Sequence, residues 1–591
     1  MPTAILTGPP APGSSIEGDL RSLGFDVRTA ADAQEAAGLL AGVPQHDRVA
    51  LVDPAFVGHV HSLRLGLTDP RFDAAAVPGG VTVQAAARPA LGRALDAGRT
   101  AAPGRPLPDT IAAALDAEGV AVRRPELGSL VAAVPADPAA REQALAAVAA
   151  VDEEAVRLRT AVKSRDGFFT TYCVSPYSRY IARFCARRGW TPNQVTTASL
   201  LVALVAAGCA ATGTRGGFVA AGVLLLVSFV LDCTDGQLAR YSLQYSTMGA
   251  WLDATFDRAK EYAYYAGLAL GAARGGDDVW ALALGAMVLQ TCRHVVDFSF
   301  NEANHDATAN TSPTAALSDK LDSVGWTVWV RRMIVLPIGE RWALIAVLTA
   351  LTTPRITFVV LLAGCALAAT YTTAGRVLRS LTRRAHRTAR AARALADLAD
   401  SGPLAEGLAR VLRLPVPAPA AAALGAAVVV ATALLAPFGS WWPVAAAGAY
   451  AVLSAIAVAR PLKGALDWLV PPLLRAAEYG TVLVLAARAD VPGALPAAFG
   501  LVAAVAYHHY DTVYRIRGGT GAPPAWLVRA AGGHELRTLL VAVLAASVPL
   551  HDFPLALTAT AVAVTLVVLA ESIRFWVSSG APAVHDEGET A

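Results

Sequence analysis

The sequence predicts a mainly α-helical polytopic membrane protein with an α/β domain, expected to be soluble, at its N-terminus. Hydrophobic residues make up 55% of the 591 residues and charged residues only 16%, whereas charged residues usually make up about 25%. The mean hydropathy is +0.46, and twelve apolar runs of near-membrane length follow residue 190. The net charge of +3 is too small to indicate a nucleic-acid partner.

Residues 1–160 are predicted to form the α/β domain. Short apolar runs, such as Val49–Val52 and Val81–Val83, alternate with alanine-rich stretches typical of helices, such as Ala139–Ala150. The segment from Thr7 to Ser15 follows the first predicted strand, where a nucleotide-binding loop could lie. Its three prolines lack the backbone N–H groups that a phosphate cradle uses, which favours a plain connecting loop.

A basic juxtamembrane segment is predicted at residues 161–190. Arg179, Arg183 and Arg187 repeat every four residues, with aromatic and aliphatic side chains between them. The pattern indicates an amphipathic helix that lies on the membrane surface, and an ordinary solvated helix is the alternative.

Two sets of six apolar segments are predicted to span the membrane. They form a first membrane domain at 191–385 and a second at 416–580, joined by a cytoplasmic linker at 386–415. Arginines flank the first set on both sides, which is typical of cytoplasmic segments. Since each set holds an even number of spans, both termini and the turn between spans two and three are expected in the cytoplasm. The predicted spans are 195–213, 217–233, 250–272, 278–298, 336–352, 355–377, 419–436, 443–459, 470–487, 494–509, 538–549 and 554–575.

Four carboxylates surround the turn between the second and third spans. Asp232 and Asp235 are three residues apart and Asp253 and Asp257 are four apart, so each pair shares one face of a helix. Unpaired carboxylates at membrane depth are costly, and the cluster therefore indicates bound cations and a functional site. Small residues between them would let a flat or phosphorylated ligand approach the backbone. These small residues are Gly236, Ala239 and Gly249.

The pattern from Asp232 to Asp257, D-x2-D-G-x2-A-R-x8-G-x3-D-x3-D, resembles the complete motif of the CDP-alcohol phosphotransferase family. The resemblance implies an enzyme that moves a substituted phosphate group from a CDP-alcohol to a hydroxyl acceptor and releases CMP. It implies Mg²⁺ or Mn²⁺, with two ions expected, and oxygen ligands suit such hard cations. The implied metal ligands are Asp232, Asp235, Asp253 and Asp257, and Asp257 is also the implied general base.

A nucleotide pocket is implied by the same resemblance. Arg240 would contribute charge-assisted contacts, and Asn193, in a T-P-N sequence before the first span, is a further expected contact. The implied nucleotide-binding residues are Asn193, Asp232, Gly236, Ala239, Arg240 and Gly249.

CDP-diacylglycerol or a similar lipid is the expected donor, and inositol phosphate or another polyol is the expected acceptor. A phosphorylated acceptor needs a basic pocket, although positive-inside topology equally explains arginines on this side of the membrane. The candidates for this pocket are Arg293, Arg331, Arg332, Arg341 and Lys260.

The order of domains resembles fused cytidylyltransferase/phosphotransferase proteins that make inositol phosphodiesters. The N-terminal domain lacks their glycine-rich L-x-G-G-x-G-x-R-like loop. We therefore expect a degenerate nucleotidyltransferase-like, or other Rossmann-like, domain with a regulatory or structural role. Synthesis of a CDP-alcohol by this domain is the bifunctional alternative.

Short sequence similarities between the two membrane domains suggest a degenerate duplication. The stretch Arg258-Ala-Lys-Glu-Tyr262 is similar to Arg475-Ala-Ala-Glu-Tyr479, but the second domain has no D-x2-D-G sequence. An inactive copy packed on the first as an internal pseudo-dimer and an independent six-helix unit are both compatible with this pattern. The family resemblance itself implies a homodimer.

A non-catalytic twelve-helix transporter or flippase-like protein with a relic motif is the alternative function. The intact motif favours the transferase, because a relic would have lost at least one carboxylate.

Overall fold

The computed structural model describes residues 2–45, 47–69, 72–98, 106–163, 166–305, 335–382 and 385–578. Within these ranges the chain forms an N-terminal α/β domain followed by two helical membrane units. The predicted fold class, a polytopic helical membrane protein with an α/β domain, is confirmed.

The α/β domain is built on a six-stranded mixed sheet with the strand order β2-β1-β3-β6-β5-β7. Strand β1 pairs in parallel with β2 and β3, whereas β6 runs antiparallel to β3 and β5. Strands β1, β3, β5 and β6 are buried at every position, which explains their continuous apolar sequences. The strands are β1 (Thr3–Leu6), β2 (Asp26–Thr29), β3 (Val49–Val52), β4 (Val57–Gly58), β5 (Ala74–Val77), β6 (Gly80–Val83), β7 (Val122–Arg123) and β8 (Ala132–Ala133).

The described residues of this domain form seven α-helices. Asp32, Asp137 and Asp152 each accept a hydrogen bond from a backbone N–H in the first turn of the helix that follows, which explains where these helices begin. The helices are α1 (Ile16–Ser22), α2 (Ala33–Ala41), α3 (Val60–Leu67), α4 (Arg88–Gly98), α5 (Leu107–Ala117), α6 (Pro138–Ala149) and α7 (Glu153–Thr160). Of these, α6 packs on β4 of a separate two-stranded sheet (β4-β8) and α7 packs on the helices that follow the domain.

The first membrane unit begins with the predicted basic helix. Tyr177, Tyr180 and Phe184 of this helix are exposed, whereas Ala182 and Cys185 are buried. The exposed aromatic face suits a membrane surface. The helices of this unit are α8 (Ser175–Arg187), α9 (Pro192–Ala211), α10 (Arg215–Ser242), α11 (Thr247–Arg274), α12 (Trp280–Asn304), α13 (Ile338–Leu351) and α14 (Pro354–Thr382).

Helix α10 extends nine residues beyond the predicted second span, which ended at 233. The helix therefore contains Asp232, Asp235 and Arg240, and ends at Leu243, whose φ of 52° reverses the chain. Ser246 then caps α11 by accepting a hydrogen bond from the Gly249 backbone N–H at 2.9 Å. The predicted span stops too early because it ends where polar residues begin. In the structure the helix continues through these residues, because neighbouring helices bury them.

The second membrane unit is also built from helices in the described residues. Two short helices connect the units, and a 3₁₀ turn over Asp467–Leu469 precedes α19. The helices are α15 (Ala389–Ala399), α16 (Pro403–Ala409), α17 (Ala418–Leu435), α18 (Trp442–Val458), α19 (Val470–Ala489), α20 (Ala494–Arg517), α21 (Ala525–Ala531), α22 (Gly533–Ser547) and α23 (Phe553–Ser578).

Six helices in the described ranges are long and apolar enough to cross a membrane. They are α9, α10, α14, α17, α19 with its preceding turn, and α23, and α18 is a shorter apolar helix. The other predicted spans fall on shorter helices or, as in α11, α12 and α20, on helices that carry buried charges. The protein is therefore an integral membrane protein.

Candidate active site

Helices α10 and α11 both pack on α9 and bring the motif carboxylates together. Carboxylate oxygens of Asp232, Asp235 and Asp253 lie within 4.8 Å of one another. Among the described residues this is the one group of three or more potential ligand side chains that meets so closely. A donor set made only of carboxylate oxygens at this spacing fits a hard divalent cation such as Mg²⁺ or Mn²⁺.

Asp257 lies beside this group and is joined to it by Lys260. The Lys260 Nζ atom lies 2.9 Å from Asp257 Oδ1, also contacts Asp232 Oδ1, and is fully buried. It lies 3.2 Å from Ser199 Oγ as well. Because a buried ammonium group must be compensated, the two carboxylates and the lysine depend on one another.

The sequence had suggested Lys260 as an acceptor-phosphate residue, and its pairing with the motif was missed. Its position three residues after Asp257 on one helix is the signal that could have indicated the pair.

Thr196 of α9 is a second residue that the sequence analysis missed. Its hydroxyl donates a hydrogen bond to Asp235 Oδ2 at 2.6 Å, and both side chains are buried. A hydrogen bond of this length fixes the carboxylate orientation. The signal available in the sequence was only that Thr196 follows Asn193 by three residues on a helix.

Two pairs of the predicted nucleotide-binding residues lie side by side, Gly249 with Asn193 and Gly236 with Arg240. A Cβ atom on Gly249 would lie 2.7 Å from Asn193 Oδ1 and 2.8 Å from Ser246 Oγ, so a larger residue here would displace both side chains. The Arg240 guanidinium lies 3.4 Å from where a Cβ on Gly236 would be. Arg240 also donates from Nε to the Ala161 carbonyl at 2.6 Å, which links the motif to the juxtamembrane segment.

The acceptor-pocket candidates fall in different surroundings. Arg331 and Arg332 lie outside the described residues. Arg293 is buried on α12 and donates to the Val335 carbonyl. Arg341, near the start of α13, is buried 3.3 Å from Glu261 Oε2, which also pairs with Arg258 at 2.8 Å.

Comparison with known proteins identifies this part of the chain. Residues 190–370 match the family model described as CDP-alcohol phosphatidyltransferase. This region is a CDP-alcohol phosphatidyltransferase domain. The resemblance that the motif carried is thereby confirmed, and residues 389–591 match a different model, DUF5941, described as a family of unknown function.

Relatives whose names state a function are similar to a limited part of the chain. The chain is 35% identical over 130 residues to the phosphatidylinositol phosphate synthase of Streptomyces avermitilis, covering 21% of this chain and 51% of that protein. It is 32% identical over 113 residues to the archaetidylinositol phosphate synthase of Pyrococcus horikoshii, covering 19% and 58%. It is 32% identical over 114 residues to the bifunctional IPC transferase and DIPP synthase of Aquifex aeolicus, covering 19% and 26%. The chain thus spans between a quarter and three fifths of the length of these relatives.

Proposed function

We propose that the protein is a metal-dependent transferase that moves the phosphatidyl group of CDP-diacylglycerol, or a similar CDP-lipid, to a polyol. Inositol phosphate is the first acceptor to consider, because two relatives are named synthases of inositol-phosphate lipids. The observation that carries the proposal is the meeting of Asp232, Asp235 and Asp253, from an intact motif, within 4.8 Å.

The chemistry follows from these side chains. Asp232, Asp235 and Asp253 would hold the divalent ion or ions, with Thr196 fixing the orientation of Asp235. When bound, such ions neutralise the pyrophosphate and stabilise the charge on attacking and leaving oxygens.

Asp257 accepts the proton of the acceptor hydroxyl as its oxygen attacks the β-phosphorus, the one that carries the lipid. The bond from this phosphorus to the oxygen that bridges to CMP breaks, and CMP leaves. Lys260 holds Asp257 at the edge of the cluster.

The test uses the full chain in lipid nanodiscs with CDP-diacylglycerol, Mn²⁺ and separate acceptors: inositol phosphate, free inositol and glycerol phosphate. We expect acceptor-dependent release of CMP that stops on addition of EDTA. Absence of CMP with every acceptor would contradict the proposal and favour the non-catalytic alternative of a transporter or flippase-like protein.

We infer that the site faces the cytoplasm. The Arg64 guanidinium of the α/β domain bonds the Ser242 carbonyl, so this domain and the motif lie at the same end of α10. The basic helix α8 packs on α10 as well. Cys173, an exposed free thiol near this end, should react with a membrane-impermeant maleimide in inside-out vesicles and not in intact cells. The reverse labelling pattern would invert the proposed orientation.

For the α/β domain we infer a structural or regulatory role. Besides Arg64, Arg157 bonds the Tyr241 carbonyl at 3.2 Å, so the domain supports the end of the motif helix. Given CTP and inositol phosphate, the full chain should release no pyrophosphate. Pyrophosphate release would instead favour the bifunctional alternative, in which this domain makes a CDP-alcohol.

A further inference from the structure

The helices of the second membrane unit contact one another in the same pattern as those of the first. In the first unit α9 packs on α10 and α11, and in the second α17 packs on α18 and α19. The pairs α10–α13 and α12–α14 likewise correspond to α18–α22 and α20–α23. When the short helix α21 is left out, equivalent helices in chain order therefore make equivalent contacts.

Buried ion pairs repeat along with the helices. Arg258 lies 2.8 Å from Glu261 on α11, and Arg475 lies 2.7 Å from Glu478 on α19. Each glutamate is also bonded by an arginine near the start of a later helix of the same unit, and in the first unit this is Arg341 of α13, at 3.3 Å. In the second unit the corresponding arginine is Arg537, at 2.5 Å.

A tryptophan stands seven residues before Arg258 and another stands seven residues before Arg475. These tryptophans fix how the sequences of α11 and α19 are aligned. The sequences from Trp251 and from Trp468 both read W-x6-R-A-x-E-Y. In this register Asp253, Asp257 and Lys260 correspond to Val470, Leu474 and Ala477. At these positions the second unit lacks the charged groups of the site, although it has the same buried Arg–Glu ion pair as the first unit.

The contacts between the two units are those expected of two copies related by a two-fold axis. Helix α12 packs on α19 and α20, and α11 packs on α20. Exchanging the units converts the α12–α19 contact into the α20–α11 contact and leaves the α12–α20 contact unchanged. This is the pattern of an isologous interface.

The two tryptophans make equivalent contacts across this interface. Trp251 stacks on Trp576 of α23, with ring centroids 6.1 Å apart. Trp468 donates a hydrogen bond from Nε1 to Ser380 Oγ of α14 at 3.0 Å. Each tryptophan thus reaches the last helix of the opposite unit.

We propose that residues 389–578 are a degenerate second copy of the six-helix unit that acts as a built-in partner, so that one chain contains one reaction site. The copy packs against α11 and α12 of the first unit. Its Tyr510 bonds His294 of α12, and its ring lies 5.3 Å from the Arg258 guanidinium, next to Asp257. Tyr510 is therefore a positioning residue for the helix that carries Asp253 and Asp257.

Cross-linking across the interface tests the built-in partner without reference to activity. Phe300 of α12 and Trp468 have ring centroids 5.3 Å apart, so Phe300→Cys and Trp468→Cys, with the six native cysteines replaced by alanine, should be joined by a bismaleimide cross-linker. Two differently tagged copies are produced together. The proposal expects the cross-link within single chains, and a cross-link between tags, or none in the folded protein, would overturn it.

If the double-cysteine variant does not fold, the native mass of the unmodified chain tests the built-in partner instead. Native mass measurement in detergent should give one chain of 61.0 kDa per particle. An obligate dimer at all protein concentrations would overturn the proposal.

The positioning role of Tyr510 rests on the proposed function and has its own test. Tyr510→Ala should lower kcat about tenfold and leave KM within about twofold, because misplaced groups cost rate more than affinity. Tyr510→Phe, which keeps the ring over Arg258, should recover most of kcat. The matched control is Tyr450→Phe, which removes a 2.7 Å bond to His534 inside the second copy and should leave kcat unchanged.

An unchanged kcat in Tyr510→Ala would overturn the positioning role. An inactive wild-type chain would instead contradict the proposed function, and the cross-linking and mass results would still stand.

Discussion

On α11 of the first unit, Asp253, Asp257 and Lys260 form the charged face of the site, whereas α19 of the second unit carries Val470, Leu474 and Ala477 at the corresponding positions. The three substitutions belong together physically. A buried lysine without its carboxylates would be costly, as would buried carboxylates without the lysine or a cation. Loss of the site therefore had to remove both signs of charge.

The charges that both units keep have a different purpose. The Arg–Glu pair on α11 recurs on α19, and the arginine of α13 that bonds this glutamate recurs on α22. In the second unit Asp400 adds a second carboxylate, 2.9 Å from Arg475 and 2.8 Å from Arg537. Since this unit has no motif, the shared network is one that the helix bundle keeps even where the site is absent.

The largest expected effect separates the two units by activity. Asp257→Asn should lower kcat by about 10³-fold, within the range lost with a general base. The matched control is Asp467→Asn, because Asp467 caps the Gly464 backbone N–H in the second unit, at 2.6 Å. It should leave kcat within about twofold of the wild type. CMP release measures both, and equal losses would contradict the assignment of one site to the first unit.

Breaking the shared network should affect stability in both units and specific activity in one. Arg258→Met and Arg475→Met each leave a buried glutamate short of a partner, and each should cost about 3–5 kcal/mol. When activity is expressed per folded molecule, Arg258→Met should have a reduced kcat and Arg475→Met should not, because only Arg258 is adjacent to Asp257. Thermal unfolding in nanodiscs and CMP release per folded molecule give the two quantities. A stable Arg475→Met protein with low kcat would assign a catalytic function to the second network.

The first unit also differs in carrying the α/β domain, whose contact with α10 includes a buried histidine. Burial, and next the charges of Arg157 and Arg64, lower the pKa of His61 to about 3. The unfolded chain binds a proton at this histidine below pH of about 6.5 and the folded domain does not, so stability falls as the solution becomes acidic.

The expected loss between pH 7 and pH 5 is about 2 kcal/mol. His61→Phe should remove this part of the pH dependence, as measured by unfolding of the full chain at the two pH values. An identical pH dependence in the variant would mean that His61 is protonated in the folded domain.

The carboxylate cluster could be predicted from the sequence because its information is local. Spacings of three and four residues define a helix face, and the fixed motif joined two such faces. Thr196 and Lys260 were not assigned to the cluster, because their partners depend on how α9 and α10 pack and on which way a side chain turns. The repeat of the whole unit was only one of two hypotheses, since five similar residues in a row do not reveal which helices touch.

The extent of α10 was underestimated for a related reason. A span predicted from hydropathy ends where polar residues begin, at 233, whereas the helix continues to Ser242 inside the bundle. Burial by neighbouring helices, and not the composition of the segment, decides where such a helix ends.

The smallest expected effect concerns the approach of α11 to α9, a feature of the first unit that the second lacks, since Leu466 corresponds to Gly249 in the tryptophan register. Gly249→Ala introduces a methyl group 2.7 Å from Asn193 Oδ1 and 2.8 Å from Ser246 Oγ, so these two side chains must shift. We expect KM for the CDP-lipid to rise about tenfold, equivalent to about 1.4 kcal/mol, with a smaller change in kcat. Gly208→Ala in α9, where a Cβ meets no atom within 4 Å, is the control and should leave KM unchanged. An unaltered KM in Gly249→Ala would show that Asn193 can move freely, and the nucleotide contact would then have to be sought on Arg240 and α10.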